Sequence, residues 1–258
     1  MWYTSVDFNN EKRREMTMSG TTCFLAELVG TALLILLGNG VVANVKLEKS
    51  GMKDGGTVQI TIAWGLAVLL PAFIFGETTG AHFNPVLSIA FAVDGSLAPG
   101  LVGWYVAGQM LGGMLGAFLA WALYCKHFAS TTDGEAKRAC FCTTPSIPCI
   151  PFNFLAEALG TFVLVFAIKG IAQVPEIAGG LKYIFVFAII VSIGMSLGGL
   201  TGYAINPARD LGPRIVYALL PMANKAPANW RYAWVPVLGP LVGALAAVWL
   251  YKVFPWSA

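Results

Sequence analysis

Charge is what this chain has least of. Lys, Arg, Asp and Glu make up 11% of its 258 residues, where a soluble domain carries about a quarter, so an ordinary water-facing surface is excluded. A net charge of +3 also gives no basic footprint for nucleic acid. Histidine occurs only as His82 and His127, and no grouped nucleophile, base and orienting residue is visible, which argues against an enzyme. Cys140, Cys142 and Cys149 cluster, in an odd set of five cysteines. That spacing suggests a thiolate metal site, but no histidine or fourth ligand accompanies it, so the cysteines read as bystanders and no metal or cofactor is expected. The first nineteen residues are polar, with the run Glu11-Lys12-Arg13-Arg14-Glu15, and no removable targeting segment is evident.

What the chain has instead is apolar length. It is 57% hydrophobic, and six long apolar segments stand out at about 22–45, 58–76, 101–124, 152–171, 183–199 and 232–251, each near the roughly 20 residues that cross a bilayer. The sequence therefore describes an integral, all-α membrane protein in contact with the lipid bilayer. Six spans place both termini on one side. Basic residues do not identify that side, because Lys46, Lys49, Lys53, Lys126, Lys137 and Arg138 lie opposite Lys12, Arg13, Arg14 and Lys252.

Two copies of one phrase interrupt the spans: Thr79-Gly80-Ala81-His82-Phe83-Asn84-Pro85 and, 122 residues later, Thr201-Gly202-Tyr203-Ala204-Ile205-Asn206-Pro207. Asn is a strong helix N-cap and Pro is favoured at the first helical position, so each phrase reads as an extended segment that opens a helix. The apolar stretches that follow, 84–93 and 206–218, reach only about halfway through the hydrocarbon. Ala26-Glu27-Leu28-Val29-Gly30-Thr31 recurs as Ala156-Glu157-Ala158-Leu159-Gly160-Thr161, and residues 105–124 correspond to 232–251. With three spans per repeat, the second copy must sit upside down relative to the first. The half-helices then enter from opposite faces and their N-termini meet near the midplane, where irregular backbone is tolerated only beside a water-filled cavity. Gly108, Gly112 and Gly116, with Gly239 and Gly243, read as close helix packing.

Several residues carry candidate chemistry. Asn84 and Asn206, one in each copy, would offer amide donors at the pore centre, where two helix N-termini focus positive potential. Arg209 is a cation in the first turn of a membrane-embedded helix, disfavoured by both the dipole and the bilayer; it is expected to line the outer mouth as a donor and a barrier to protons and cations, with the adjacent Asp210 helping to hold it and supporting the loop. Glu27 and Glu157 could act as proton carriers, but their symmetric placement favours support of the re-entrant backbone, turning its carbonyls toward the lumen. Those carbonyls would come from Gly80, Ala81, His82, Phe83, Thr201, Gly202 and Ala204. The His82 ring is expected to be tucked into hydrogen bonds rather than onto a metal.

With Gly80-Ala81-His82-Phe83-Asn84-Pro85 and Asn206-Pro207-Ala208-Arg209-Asp210 in hand, the chain resembles the aquaporin superfamily, and more closely the bacterial glycerol facilitators, over about residues 20–253. The resemblance implies six transmembrane helices plus two re-entrant half-helices in an inverted repeat. It also implies a cytoplasmic N-terminal segment (1–21), a channel domain (22–253, with repeats at about 22–124 and 152–253) and a short tail (254–258). The pore centre would consist of Asn84, Pro85 and Val86 with Asn206, Pro207 and Ala208, and the selectivity filter of Trp64, Gly194, Tyr203 and Arg209. Asp210, Arg214 and the pair Pro236-Val237 also look like the glycerol-conducting branch. Val86 stands where alanine is typical and Tyr203 where Phe is common, and the tyrosine hydroxyl is expected to narrow the filter and wet its apolar wall. The implied function is passive passage of glycerol and water with exclusion of protons and ions, by a homotetramer of the plasma membrane with both termini cytoplasmic. Alternatives are a preference for water, hydrogen peroxide, dihydroxyacetone or undissociated lactic acid, a proton-coupled transporter, or a structural membrane-junction role.

Overall fold

The computed structural model describes residues 19–177 and 179–256. Most of the expected N-terminal segment, including the charged run at 11–15, lies outside the described residues, as do 257–258 of the tail. The helices, in chain order, are α1 (Gly20–Lys46), α2 (Gly56–Thr79), α3 (Pro85–Asp94), α4 (Val102–Ser130), α5 (Gly134–Ala139), α6 (Ile150–Ile171), α7 (Leu181–Thr201), α8 (Pro207–Leu219) and α9 (Val235–Val253). Six of them are long and apolar enough to cross a membrane, and they coincide with the six apolar segments of the sequence. The largest difference is at the end of α4, which runs to Ser130 instead of stopping near 124. Lys126 and His127 end the apolar pattern there without ending the helix, since backbone hydrogen bonding continues where the bilayer stops. Helix α5 was not foreseen; Asp133 caps it by accepting from the Glu135 and Ala136 N–H groups at 2.8 and 3.2 Å.

Close backbone approach holds each repeat together. A methyl group placed on Gly108, Gly112 or Gly116 of α4 would lie 2.5, 2.3 or 2.4 Å from the carbonyl oxygens of Phe24, Leu28 and Ala32 on α1. On α9, one at Gly239 or Gly243 would meet the Phe154 carbonyl of α6 at 3.1 Å or that of Ala158 at 1.9 Å. Only glycine allows these pairs to close, and helices in lipid associate mainly through such packing. The packing is thus duplicated along with the sequence.

The half-helices α3 and α8 are anchored at their outer ends. Asp94, closing α3, pairs with Lys169 of α6 at 2.8 Å, and Lys252 of α9 donates to the Val93 carbonyl at 3.2 Å. Beyond α8, the Lys225 ammonium donates to the carbonyls of Tyr217, Ala218 and Leu220 at 2.9, 2.8 and 2.7 Å. A cation at a helix C-terminus is favoured by the macrodipole, so these lysines stabilise both half-helices with their N-termini aimed inward.

Candidate functional site

Each half-helix is preceded by a segment that ordinary backbone rules disfavour. Gly80 (φ 76°) and Gly202 (φ 81°) stop α2 and α7 in the left-handed region, and Ala81, Phe83, Tyr203 and Ile205 follow with φ of 53°, 46°, 36° and 45°. Positive φ at non-glycine residues costs on the order of 1–3 kcal/mol each and is severe for a β-branched residue such as Ile205. The same pattern in both copies indicates a shared restraint.

That restraint is Glu27 in the first copy and Glu157 in the second. Glu27 Oε1 accepts from Thr79 Oγ1 (2.7 Å) and His82 N (3.2 Å), and Oε2 from Phe83 N and Gln109 Nε2, both at 2.7 Å. Glu157 Oε1 accepts from Thr201 Oγ1 (2.6 Å) and Ala204 N (3.0 Å), and Oε2 from Ile205 N (2.8 Å). In a planar trans peptide N–H and C=O point opposite ways, so N–H groups drawn to a carboxylate turn the preceding carbonyls of Ala81, His82, Tyr203 and Ala204 away from it. These carbonyls, with those of Gly80 and Gly202, accept no hydrogen bond from the described residues.

Asn84 and Asn206 cap their helices and lock the copies together. Asn84 Oδ1 accepts from Val86 N at 3.2 Å, and Asn206 Oδ1 accepts from Ala208 N and Arg209 N at 2.9 and 3.2 Å. Asn84 Nδ2 donates to the Ile205 carbonyl at 2.9 Å while Asn206 Nδ2 donates to the Phe83 carbonyl at 2.8 Å. Since a side-chain amide carries two N–H donors, each asparagine keeps one to offer. The Phe83 carbonyl, expected to face the lumen, gives one of its two lone pairs to Asn206. Pro85 and Pro207 take the first helical positions. The added bulk of Val86 is absorbed in a buried cluster with Val165, Ala244 and Ala247.

On the Arg209 side, the guanidinium lies over the Trp64 ring with Cζ 4.1 Å from its centroid. Trp64 is 4% exposed, which excludes an interfacial anchor, and its ring fills the space beside Gly38 of α1, where a methyl would fall 2.2 Å away. Tyr203 lies against α7: a methyl on Gly194 would be 2.9 Å from its Cζ and 2.5 Å from Thr61 Cγ2. The missing side chain at Gly194 thus makes room for the tyrosine. The Tyr203 hydroxyl lies at the Thr61 end of this crevice, within reach of the Thr61 side chain. With that hydroxyl directed at Thr61, Tyr203→Phe should keep the glycerol-to-water flux ratio within about twofold in stopped-flow swelling assays.

Asp210 does not hold Arg209. Its carboxylate accepts from Arg214 Nε (2.8 Å) and Nη2 (2.9 Å) and from Thr143 N and Oγ1, both at 2.7 Å. Arg214 in turn donates to the carbonyls of Thr143, Ala228 and Asn229. Asp210 therefore supports a loop, the connection after α5, but does not hold Arg209, because residues one turn apart share a helix face and adjacent ones do not. His82 Nδ1 pairs with Ser88 Oγ at 3.0 Å, as a tucked ring would. Burial pushes the thiols of Cys140 and Cys142 up, the latter to about 12, so both are neutral near pH 7 and poor metal ligands. The sequence reading missed the supporting side chains of Gln109, Thr79 and Thr143. Gln109 had a signal, as a lone amide in an apolar span; Thr79 had another, as the match of Thr201 in the other copy.

The major intrinsic protein family matches residues 15–251 of this chain. Over 222 residues, the chain is 48% identical to the glycerol uptake facilitator protein of Bacillus subtilis, covering 86% of this chain and 81% of that protein. Over 229 residues it is 45% identical to the probable glycerol uptake facilitator protein of Thermotoga maritima, covering 89% and 97%. Among solved structures, the aquaglyceroporin from Plasmodium falciparum superposes with a TM-score of 0.81 at 28% identity, covering 92% of this chain and 97% of that one.

Proposed function

The chain belongs to the major intrinsic protein family, and from that premise we propose that it is a passive channel for glycerol, water and similar small neutral solutes, not an enzyme. The observation that carries this reading is the pair of crossed bonds, Asn84 Nδ2 to Ile205 O and Asn206 Nδ2 to Phe83 O, with unsatisfied carbonyls leading to it from both segments. A polyol passing in single file exchanges its hydration for those carbonyls and for the free N–H of each asparagine, while Trp64 and the Tyr203 ring meet its carbon side. No covalent step or cofactor is involved. The all-donor surroundings of Glu27 and Glu157 support a scaffolding role over proton carriage. Cations are opposed by the two helix N-termini and by Arg209; aquaporin-type channels are the general example of this exclusion. The assembly we propose is a homotetramer with one pore per subunit, in the plasma membrane, with both termini cytoplasmic.

Proteoliposomes containing the purified protein should swell in glycerol faster than empty vesicles, with or without a pH gradient. Flux that requires the gradient would defeat the channel reading in favour of a coupled transporter, and no acceleration would favour a structural role. A barrier lowered by ~1.4 kcal/mol changes leak tenfold, so Arg209→Ala should raise proton or cation leak by about that factor or more in voltage-clamped vesicles. An unchanged leak would remove Arg209 from the barrier.

A further inference from the structure

Tyr203 is confined on three sides, and two of the residues that confine it lie outside the four-residue filter. A methyl on Gly198, one turn after Gly194 on α7, would sit 2.7 Å from Tyr203 Cδ1 and 3.0 Å from Cε1. Thr61, buried on α2, shares with the Tyr203 Cζ end the crevice beside Gly194. The tyrosine backbone cannot retreat, because the next two N–H groups are tied to Glu157 at 3.0 and 2.8 Å and its own φ of 36° leaves little freedom. A methyl added on Gly198 would press on the ring at Cδ1 and Cε1, and with the backbone held, the ring relieves it by moving away from α7.

We propose that Gly198 and Thr61 set the aperture of the filter by fixing how far the Tyr203 ring stands into it. They are positioning residues that act through Tyr203, and the proposal rests on the channel reading above. Its physical basis is close packing: a rigid aromatic ring with no void behind it transmits a displacement of one methyl to the opposite face. Width then discriminates by solute size. A polyol needs more lateral room than water at the same constriction, so the wall behind the ring tunes glycerol against water without touching either.

Gly198→Ala and Thr61→Ala test this in opposite directions. Alanine is a better helix former than glycine, so α7 should persist in Gly198→Ala. Glycerol flux should fall about tenfold or more relative to water, the factor expected for one misplaced methyl-sized group. Adding Tyr203→Ala should restore glycerol flux by removing the ring, and alanine is the residue that the first copy already holds at the matching position, Ala81, with φ 53°. Thr61→Ala should let the ring recede and raise the flux of erythritol relative to glycerol. A crystal structure of Gly198→Ala should show the ring shifted away from α7, a readout independent of conduction.

A purely structural role would lower water and glycerol flux together and leave their ratio unchanged. That result, an unmoved ring, or a defect that Tyr203→Ala does not relieve would overturn the proposal. Should Gly198→Ala fail to assemble, an unchanged erythritol-to-glycerol ratio in Thr61→Ala would do the same. Wild-type vesicles that conduct no glycerol would strike the channel reading itself, whatever the ring position.

Discussion

Glu27→Ala is expected to abolish solute flux and to give a protein that unfolds at much lower temperature in detergent. Thr79 Oγ1, the His82 and Phe83 N–H groups and Gln109 Nε2 all donate to this carboxylate, and each buried donor left unsatisfied costs about 1–3 kcal/mol. Against a total stability of roughly 5–15 kcal/mol, losing all four would release the segment at 80–84 and with it the alignment of Asn84. Glu27→Gln is the finer test. A carboxylate is acceptor-only, whereas glutamine presents one oxygen and one NH2, and even in the better orientation, with Thr79 accepting, the NH2 opposes the His82 N–H. The glutamine variant should fold less stably than wild type but better than the alanine variant, with flux still insensitive to a pH gradient. A proton carrier predicts the reverse: a stable Glu27→Gln protein that has lost only gradient-driven transport. Thermal unfolding and vesicle swelling on both variants decide between them.

Arg214→Met should destabilise the protein by about 3–5 kcal/mol, the usual cost of removing one partner of a buried ion pair. Arg214 and Asp210 are both 0% exposed, so Asp210 would keep its charge with only the Thr143 donors to compensate it. For a chain of this size, that loss corresponds to a fall in Tm of roughly 10 °C. Because much of the cost is the stranded charge, adding Asp210→Asn should recover part of it, and a double-mutant cycle would register the coupling. The connection clamped by Thr143 and the backbone at Ala228 and Asn229 should loosen in both variants. Arg209 is not part of this pair, so the protein that remains folded should keep its low proton leak. A large leak would mean that the Arg214 cluster holds Arg209 after all.

The two corrections to the site have different origins. The partner of Asp210 was legible in principle: four residues separate it from Arg214, one helical turn, while Arg209 points about 100° away at 3.6 residues per turn. The fate of the Tyr203 hydroxyl was not legible. It depends on empty space at Gly194 and Gly198 and on Thr61 of another helix, and no local pattern around Tyr203 reports that space. Nor was the partner of the Phe83 carbonyl legible, since it is an asparagine 123 residues away.

By itself, the sequence determined the membrane class, the spans, the duplication and the antiparallel meeting of two half-helices. Those follow from hydrophobic length, from the Asn-Pro caps and from the odd number of spans per repeat, all written in consecutive residues. Only the tertiary structure decided which carbonyls are free, which cation pairs with Asp210 and which way Tyr203 faces. In a segment without regular secondary structure, the direction of a group is set by whatever distant donor, acceptor or void the fold brings to it.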